Sequence, residues 1–98
     1  MRERTTITLP PLIGSRPSAR ELAARLQEQP DVVYIEAGKL LSAAQAVADE
    51  LVKEILEVRG AKRLIVWDAT PGLDTHMRRA AELRGFADRL DVSVRKVT

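Results

Sequence analysis

Apolar positions along the chain change their period several times, and these changes predict alternating strands and helices. Runs of β-branched and aliphatic residues predict strands over residues 5–9, 32–35, 63–67 and 92–97. Between them, apolar residues recur at the three- and four-residue spacing of amphipathic helices. The predicted order βαβαβαβ indicates a single α/β domain, in which three helices pack on a four-stranded, mostly parallel or mixed sheet.

The strand candidates differ in the burial that their patterns predict. Residues 5–9 alternate and end at Pro10 and Pro11, which cannot donate to a ladder, so this strand is expected at a sheet edge. Residues 32–35 are continuously apolar, a pattern typical of a central strand covered on both faces. Residues 92–97 alternate, so the last strand is expected to be half exposed.

Two capping boxes predict where the first two helices begin. Each pairs a serine with a glutamate or glutamine three residues later: Ser18 with Glu21, and Ser42 with Gln45. The first helix is then expected over residues 19–28 and the second over residues 43–58, where Gly60 supplies a left-handed residue after the helix.

The third helix has two candidate starts. Thr70 would cap it with Pro71 in the first turn, or Asp74 would cap it after a longer loop. In either case, right-handed crossovers bring the loops that follow parallel strands to the carboxyl edge of the sheet. Residues 37–42 and 68–73 are therefore expected to lie together there.

Composition limits the chemistry. The chain has 98 residues, no cysteine, 45% hydrophobic and 31% charged residues, and a net charge of +2. These values are typical of one folded domain without disulfides or thiolate metal sites. The balanced charge does not indicate a nucleic-acid partner, and no apolar run is long enough for a membrane span. No export signal is evident, so a cytoplasmic protein is expected.

Candidate catalytic groups are few. Ser42, His76 and Asp68 could form a hydrolytic triad, but no G-x-S-x-G motif accompanies them. A lone histidine does not indicate a zinc site, and the segment after the first strand has no acid to help Asp68 hold magnesium. The glycines are isolated, so no phosphate loop is predicted. We therefore expect no catalytic residue, metal or cofactor.

Helix two also carries a family resemblance. The stretch from Val47 to Leu51 reads Val-Ala-Asp-Glu-Leu and is similar to the Phe-Ala-Asp-Glu-Leu signature of STAS-like domains of unknown function. Residues 60–66, Thr70 with Pro71, and residues 79–85 resemble the downstream pattern of that family, so that the likeness covers residues 16–97. These domains are related to the sulfate transporter and anti-sigma factor antagonist domains.

The resemblance implies a STAS-like α/β sandwich that acts by binding proteins. In antagonists of this kind, a serine at the start of the helix is phosphorylated by a partner kinase of the histidine-kinase ATPase type, and Ser42 matches that position. The residues alone support two interpretations of Ser42, an N-cap and nothing more, or a phosphorylation switch on a docking surface. A histidine-kinase-type ATPase or an anti-sigma factor is the partner that the resemblance implies.

These considerations predict a non-enzymatic, regulatory protein-binding module, without nucleic-acid or membrane partners. Its predicted partner-binding residues lie at the loops that begin helices two and three: Lys39, Leu40, Leu41, Ser42, Gln45, Thr70 and Leu73. Two alternatives remain. One is a small-molecule or anion site for nucleotide or phosphate at the helix N-termini. The other is a homo-oligomeric scaffold, such as a homodimer through an edge strand, or a phage or mobile-element protein that contacts the host.

Overall fold

The computed structural model describes residues 5–96, and within them the predicted α/β order is confirmed. The final strand was predicted over residues 92–97; it spans Leu90–Val94, and Val97 lies outside the described residues. The strands are β1 (Thr6–Thr8), β2 (Leu12–Ile13), β3 (Val32–Glu36), β4 (Ser42–Ala43), β5 (Arg63–Ala69) and β6 (Leu90–Val94). The helices are α1 (Arg16–Ala23), α2 (Gln45–Val52) and α3 (Pro71–Leu83), with a π-helical segment at Lys53–Val58 and a 3-10 turn at Ala87–Arg89.

The main sheet is wholly parallel, and its strands follow one another in chain order, β1-β3-β5-β6. Each crossover therefore steps in the same direction across the sheet. Because such crossovers are right-handed, they all fall on the same face. In agreement, α1 packs on α2 and α2 packs on α3 in one layer. The prediction that the first strand lies at an edge is confirmed.

One core lies between the helical layer and this face of the sheet. Inward positions of the strands, such as Val33, Ile35, Leu64 and Val66, are fully buried. The helices contribute buried apolar residues that include Leu51, Val52, Ile55, Leu73 and Met77. At about 25 cal/mol per Å² of apolar area, this layer provides most of the favourable free energy of folding.

The start of α1 differs from the prediction. The helix begins at Arg16, three residues before the predicted start, and Ser15 is its N-cap, with its Oγ accepting a hydrogen bond from the backbone N–H of Ser18 at 3.3 Å. Pro17 lies in the first turn, where a missing N–H has no consequence. The capping box of Ser18 and Glu21 is therefore wrong, because Ser15 already caps the helix.

The second helix also starts and ends differently. It begins at Gln45, because the chain before it is extended and pairs as β4 with β2. It widens into the π-helical segment after Val52, where Glu54, Ile55 and Leu56 are all buried. A π turn holds more residues than an α turn, which lets three consecutive side chains face inward. Gly60, with φ of +68°, follows the segment as predicted.

The two candidate starts of the third helix are resolved in favour of Thr70. Its Oγ1 accepts a hydrogen bond from the N–H of Leu73 at 3.1 Å, and Pro71 occupies the first turn.

Ion pairs join the three helices on the outside of the helical layer. Asp49 on α2 accepts hydrogen bonds from Arg84, just after α3, at 2.9 and 3.0 Å, and from Arg16 on α1 at 2.7 Å. Glu50 is 1% exposed and accepts hydrogen bonds from Arg16 and Arg20. Burial alone would raise the pKa of Glu50, but these hydrogen bonds lower it. The carboxylates therefore remain ionised between the helices.

Acid should weaken this arrangement. The hydrogen bonds from Arg84, and then those from Arg16, lower the pKa of Asp49 from 3.8 to about 2. A lowered pKa stabilises the fold above pH 3.8, and this contribution is lost as the pH falls towards 2. Urea denaturation at a series of pH values should show the free energy of unfolding falling over this interval, with Asp49 contributing about 2 kcal/mol.

The Asp49→Asn variant should be less stable than the wild type at neutral pH and should show a shallower decline in acid. Asp31→Asn is the matched control, because the Asp31–Lys62 pair is more than 80% exposed on both sides. An unchanged acid profile for Asp49→Asn would contradict the role given to this pair.

Candidate functional site

The loops that follow β3 and β5 meet at the carboxyl edge of the sheet, as predicted. The N–H of Ala37 donates to the carbonyl of Trp67 at 2.9 Å. A Cβ added to Gly38 would lie 3.5 Å from Oδ2 of Asp68, so the segments 37–42 and 68–73 are in direct proximity. The edge is therefore one continuous surface.

Arg95, which the sequence analysis did not single out, holds the loop after β3. Its Nη2 donates to the carbonyls of Ala37 at 2.7 Å and Leu40 at 3.1 Å, while its backbone N–H donates to Ala69. The loop is also held from the other side, since Leu41 donates to the carbonyl of Pro11 at 2.8 Å. Hydrogen bonds from both sides give this loop a defined shape.

Two of the predicted partner-binding residues do not reach the surface. Leu40 is completely buried and Leu73 is 2% exposed, since both pack into the core beneath the carboxyl edge. The prediction that their side chains supply partner contacts is therefore wrong. Lys39, Leu41, Ser42 and Gln45 are exposed, and Thr70 is half-buried.

Ser42 lies in β4 and is not the N-cap of α2. The N-cap is Ala44, whose side chain has no polar atom, and Ser42 is paired with Leu12 in the ribbon formed by β2 and β4. The predicted capping box of Ser42 and Gln45 is therefore wrong, because the strand pairing delays the helix. The Ser42 residue is exposed, and its side chain is not used for capping.

The β2–β4 ribbon carries two exposed leucines. Leu12 is 69% exposed and Leu41 is 72% exposed, and Leu41 is joined to the ribbon through Pro11. Leu41 is one of the predicted partner-binding residues, whereas Leu12 is not among them.

The opposite face of the main sheet is uncovered among residues 5–96, and we call it the open face. Cross-strand register puts Thr6, Tyr34, Ile65 and Asp91 in one row. The whole face is formed by Thr6, Thr8, Val32, Tyr34, Glu36, Arg63, Ile65, Trp67, Asp91 and Ser93. The prediction that β3 is covered on both faces is therefore wrong, although β3 is central as expected.

An aromatic pair occupies the middle of the open face. The rings of Tyr34 and Trp67 have centroids 5.0 Å apart with a tilt of 32°. Trp67 is 41% exposed, while Tyr34 and Ile65 are half-buried. The signal was present in the sequence, because Glu36 and Arg63 alternate in phase with Tyr34 and Trp67, which indicates a face partly in water.

A groove of about 500 Å³ lies where the open face reaches the carboxyl edge. Its lining combines the exposed tryptophan with two carboxylates, one ammonium and two hydroxyls: Thr8, Glu36, Gly38, Lys39, Trp67, Asp68 and Ser93. Glu36 is the register partner of Trp67 on the adjacent strand. Within residues 5–96, neither Glu36 nor Asp68 forms an ion pair.

Asp68, the next-to-last residue of β5, has a left-handed backbone, with φ of +57°. The register between β5 and β6 shifts between Val66 and Ala69, so Asp68 occupies an irregularity of the ladder. Such conformations are tolerated by aspartate but cost free energy, and they are common beside binding sites. The sequence predicts Asp68 in the loop that follows this strand, whereas it lies within β5.

The hydrolytic triad that could be drawn from sequence is not assembled. His76 lines a cleft between α2 and α3 on the helical side, together with Arg16, Gln45, Asp49 and Arg79. Asp68 lines the groove on the open face. Among the described residues, no three histidine, aspartate or glutamate side chains are close enough to hold a metal ion.

Comparisons with protein-family models, with curated proteins and with solved structures give no match. Across residues 5–96, no helix combines the length and apolar character that a bilayer crossing requires.

The backbone at Asp68 predicts an unusual order of variant stabilities. Asp68→Gly should be as stable as the wild type or more stable, because glycine adopts a positive φ without steric cost. Asp68→Ala should lose about 1 kcal/mol. Urea denaturation of both variants measures the difference.

Ser93 provides the control, since it lies on the neighbouring strand and is not among the positive-φ residues of the described chain. There the order should reverse, with Ser93→Gly less stable than Ser93→Ala. The same order at both positions would contradict the left-handed backbone at Asp68.

Proposed function

We propose that this chain is a non-enzymatic protein-interaction module that binds its partner on the open face. The observation that supports this function is a wholly parallel sheet with only one covered face within residues 5–96. Parallel sheets are almost always covered on both faces, because their strands are rich in apolar residues. A partner that covers Tyr34, Ile65 and Trp67 would complete the usual three layers.

The side chains of the open face suit such contacts. Tyr34 and Trp67 support each other, so little conformational entropy is lost when a partner packs on them. Aromatic residues at the centre of an interface contribute most to binding free energy. Polar and charged residues such as Thr6, Arg63 and Asp91 surround them as a rim.

The carboxyl edge would extend the docking surface. Lys39 lines the groove beside Trp67, and Leu41 and Leu12 project from the ribbon farther along the same edge. A phosphate on the exposed Ser42 would add nearly two negative charges next to Leu41, which would oppose an apolar contact there. The resemblance to STAS-like domains supports a regulatory protein partner, such as a histidine-kinase-type ATPase or an anti-sigma factor.

Anion binding is the second candidate function. The first turn of α2 opens onto the cleft of about 490 Å³ that Arg16, His76 and Arg79 line. However, Asp49 lies in the same cleft and already binds Arg16 and Arg84. Its negative charge lowers the attraction for a phosphate, so we rank this function below protein binding.

Site-specific photocrosslinking in cells tests the protein-binding function. A benzophenone amino acid at Ser93, on the open face, should give a discrete protein adduct, whereas the same group at Glu82, exposed on α3, should not. Ile65→Lys should weaken formation of the adduct by about tenfold or more, because it places a charge in the centre of the interface.

Circular dichroism should first show that Ile65→Lys is folded. Equal labelling from Ser93 and Glu82, or an adduct that survives Ile65→Lys unchanged, would count against the open face as the docking surface.

A further inference from the structure

The size of the open face restricts what can cover it. Four strands about 4.8 Å apart, with about five residues of 3.3 Å each, give a face of roughly 300 Å². A standard protein interface buries about 800 Å² on each partner. A second copy of the domain resting on this face alone would bury too little surface for a stable dimer. A single secondary-structure element of a partner matches the size of this face better than a whole domain does.

An α-helix has the dimensions that this face requires. About eleven residues of helix, at 1.5 Å each, span the length of the strands, and a diameter of about 10 Å covers half of their combined width. The central strands β3 and β5 are paired on both sides, so their backbones offer no place for an added strand. Binding on this face must therefore proceed through side chains, as when a helix packs on a sheet in an α/β fold.

We propose that the occupant is an amphipathic α-helix of a partner protein, and that a lysine or arginine of this helix enters the groove over Trp67, between Glu36 and Asp68. The proposal rests on the docking function given above and adds the chemistry of the partner. The apolar stripe of the helix would lie on Tyr34 and Ile65.

The charge of the groove selects a basic residue. Glu36 and Asp68 line it, against a single ammonium from Lys39, and the two carboxylates form no ion pair within residues 5–96. A partner that covers the groove removes water from both carboxylates, which is costly without a compensating cation. A basic side chain supplies that cation, whereas an acidic one adds repulsion.

The exposed ring of Trp67 strengthens this preference. Tryptophan is the side chain whose face attracts cations most strongly, and 41% of Trp67 is available to a ligand. The ring of Tyr34, on the adjacent strand, lies beside the Trp67 ring with the two centroids 5.0 Å apart, and supports it from the side. The groove thus combines an aromatic surface with two anionic groups, which suits an ammonium or guanidinium group.

The proposal can be tested with three stapled, Ala-rich helical peptides of about 16 residues, long enough to cover the strands. They share one leucine stripe and differ only at one position at its end, which is lysine, glutamine or glutamate. Trp67 is the only tryptophan of the chain, so its fluorescence reports directly on the groove. The lysine peptide should bind about tenfold more tightly than the glutamate peptide, with a shift in Trp67 emission.

Variants on the protein should change this preference in opposite directions. Glu36→Gln with Asp68→Asn should reduce the preference for lysine to about twofold, while Lys39→Gln should increase it. The Trp67→Leu variant should still bind the leucine stripe of the peptides but should lose part of the preference for lysine over glutamate. Calorimetry measures its binding, because this variant has no tryptophan fluorescence. Glu82→Gln with Asp88→Asn removes the same charge from the helical side and should have no effect.

Several results would overturn the proposal. A glutamate peptide that binds as tightly as the lysine peptide while Trp67 still responds would refute the basic residue and leave the docking function intact. Binding by none of the peptides would refute the helix, and the crosslinking at Ser93 would then decide the docking function independently. A Trp67 emission that changes with protein concentration, together with a dimer by light scattering, would identify a second copy as the occupant.

Discussion

The strand order of the main sheet determines most features of this molecule. Because β1, β3, β5 and β6 lie side by side in chain order and each crossover has the same hand, the helices collect on one face. That arrangement concentrates the core between two layers and leaves the other face of a parallel sheet in contact with water. The open face therefore follows from topology and not from any local motif.

The helical layer is stabilised in two different ways. Its inner side is apolar and continuous with the sheet, while its outer side is joined by carboxylates that each bind more than one arginine. Glu50 is the extreme case, since it is ionised and 1% exposed, and removal of its cations would leave a buried charge without compensation. The outer side of the helical layer is therefore partly occupied by ion pairs within the domain.

The carboxyl edge is ordered by contacts that are distant in sequence. Arg95 reaches the loop after β3 from the end of β6, and the ribbon of β2 and β4 joins the segments that precede α1 and α2. These contacts explain why Ser42 and Leu41 are displayed on an extended segment and not at a helix start. They also hold Asp68 and Gly38 together at the end of the groove.

The amino-acid pattern was sufficient to determine the α/β class, the edge position of the first strand, the convergence of the two loops and the helix end at Gly60, because each depends on local periodicity or on the hand of crossovers. It did not determine the caps at Ser15 and Ala44, the ribbon, or the burial of Leu40 and Leu73, since several segments compete for each role. The open face was missed for a different reason. An apolar run such as residues 32–35 is compatible with one covered face or two, and only the packing of distant helices decides how many are covered.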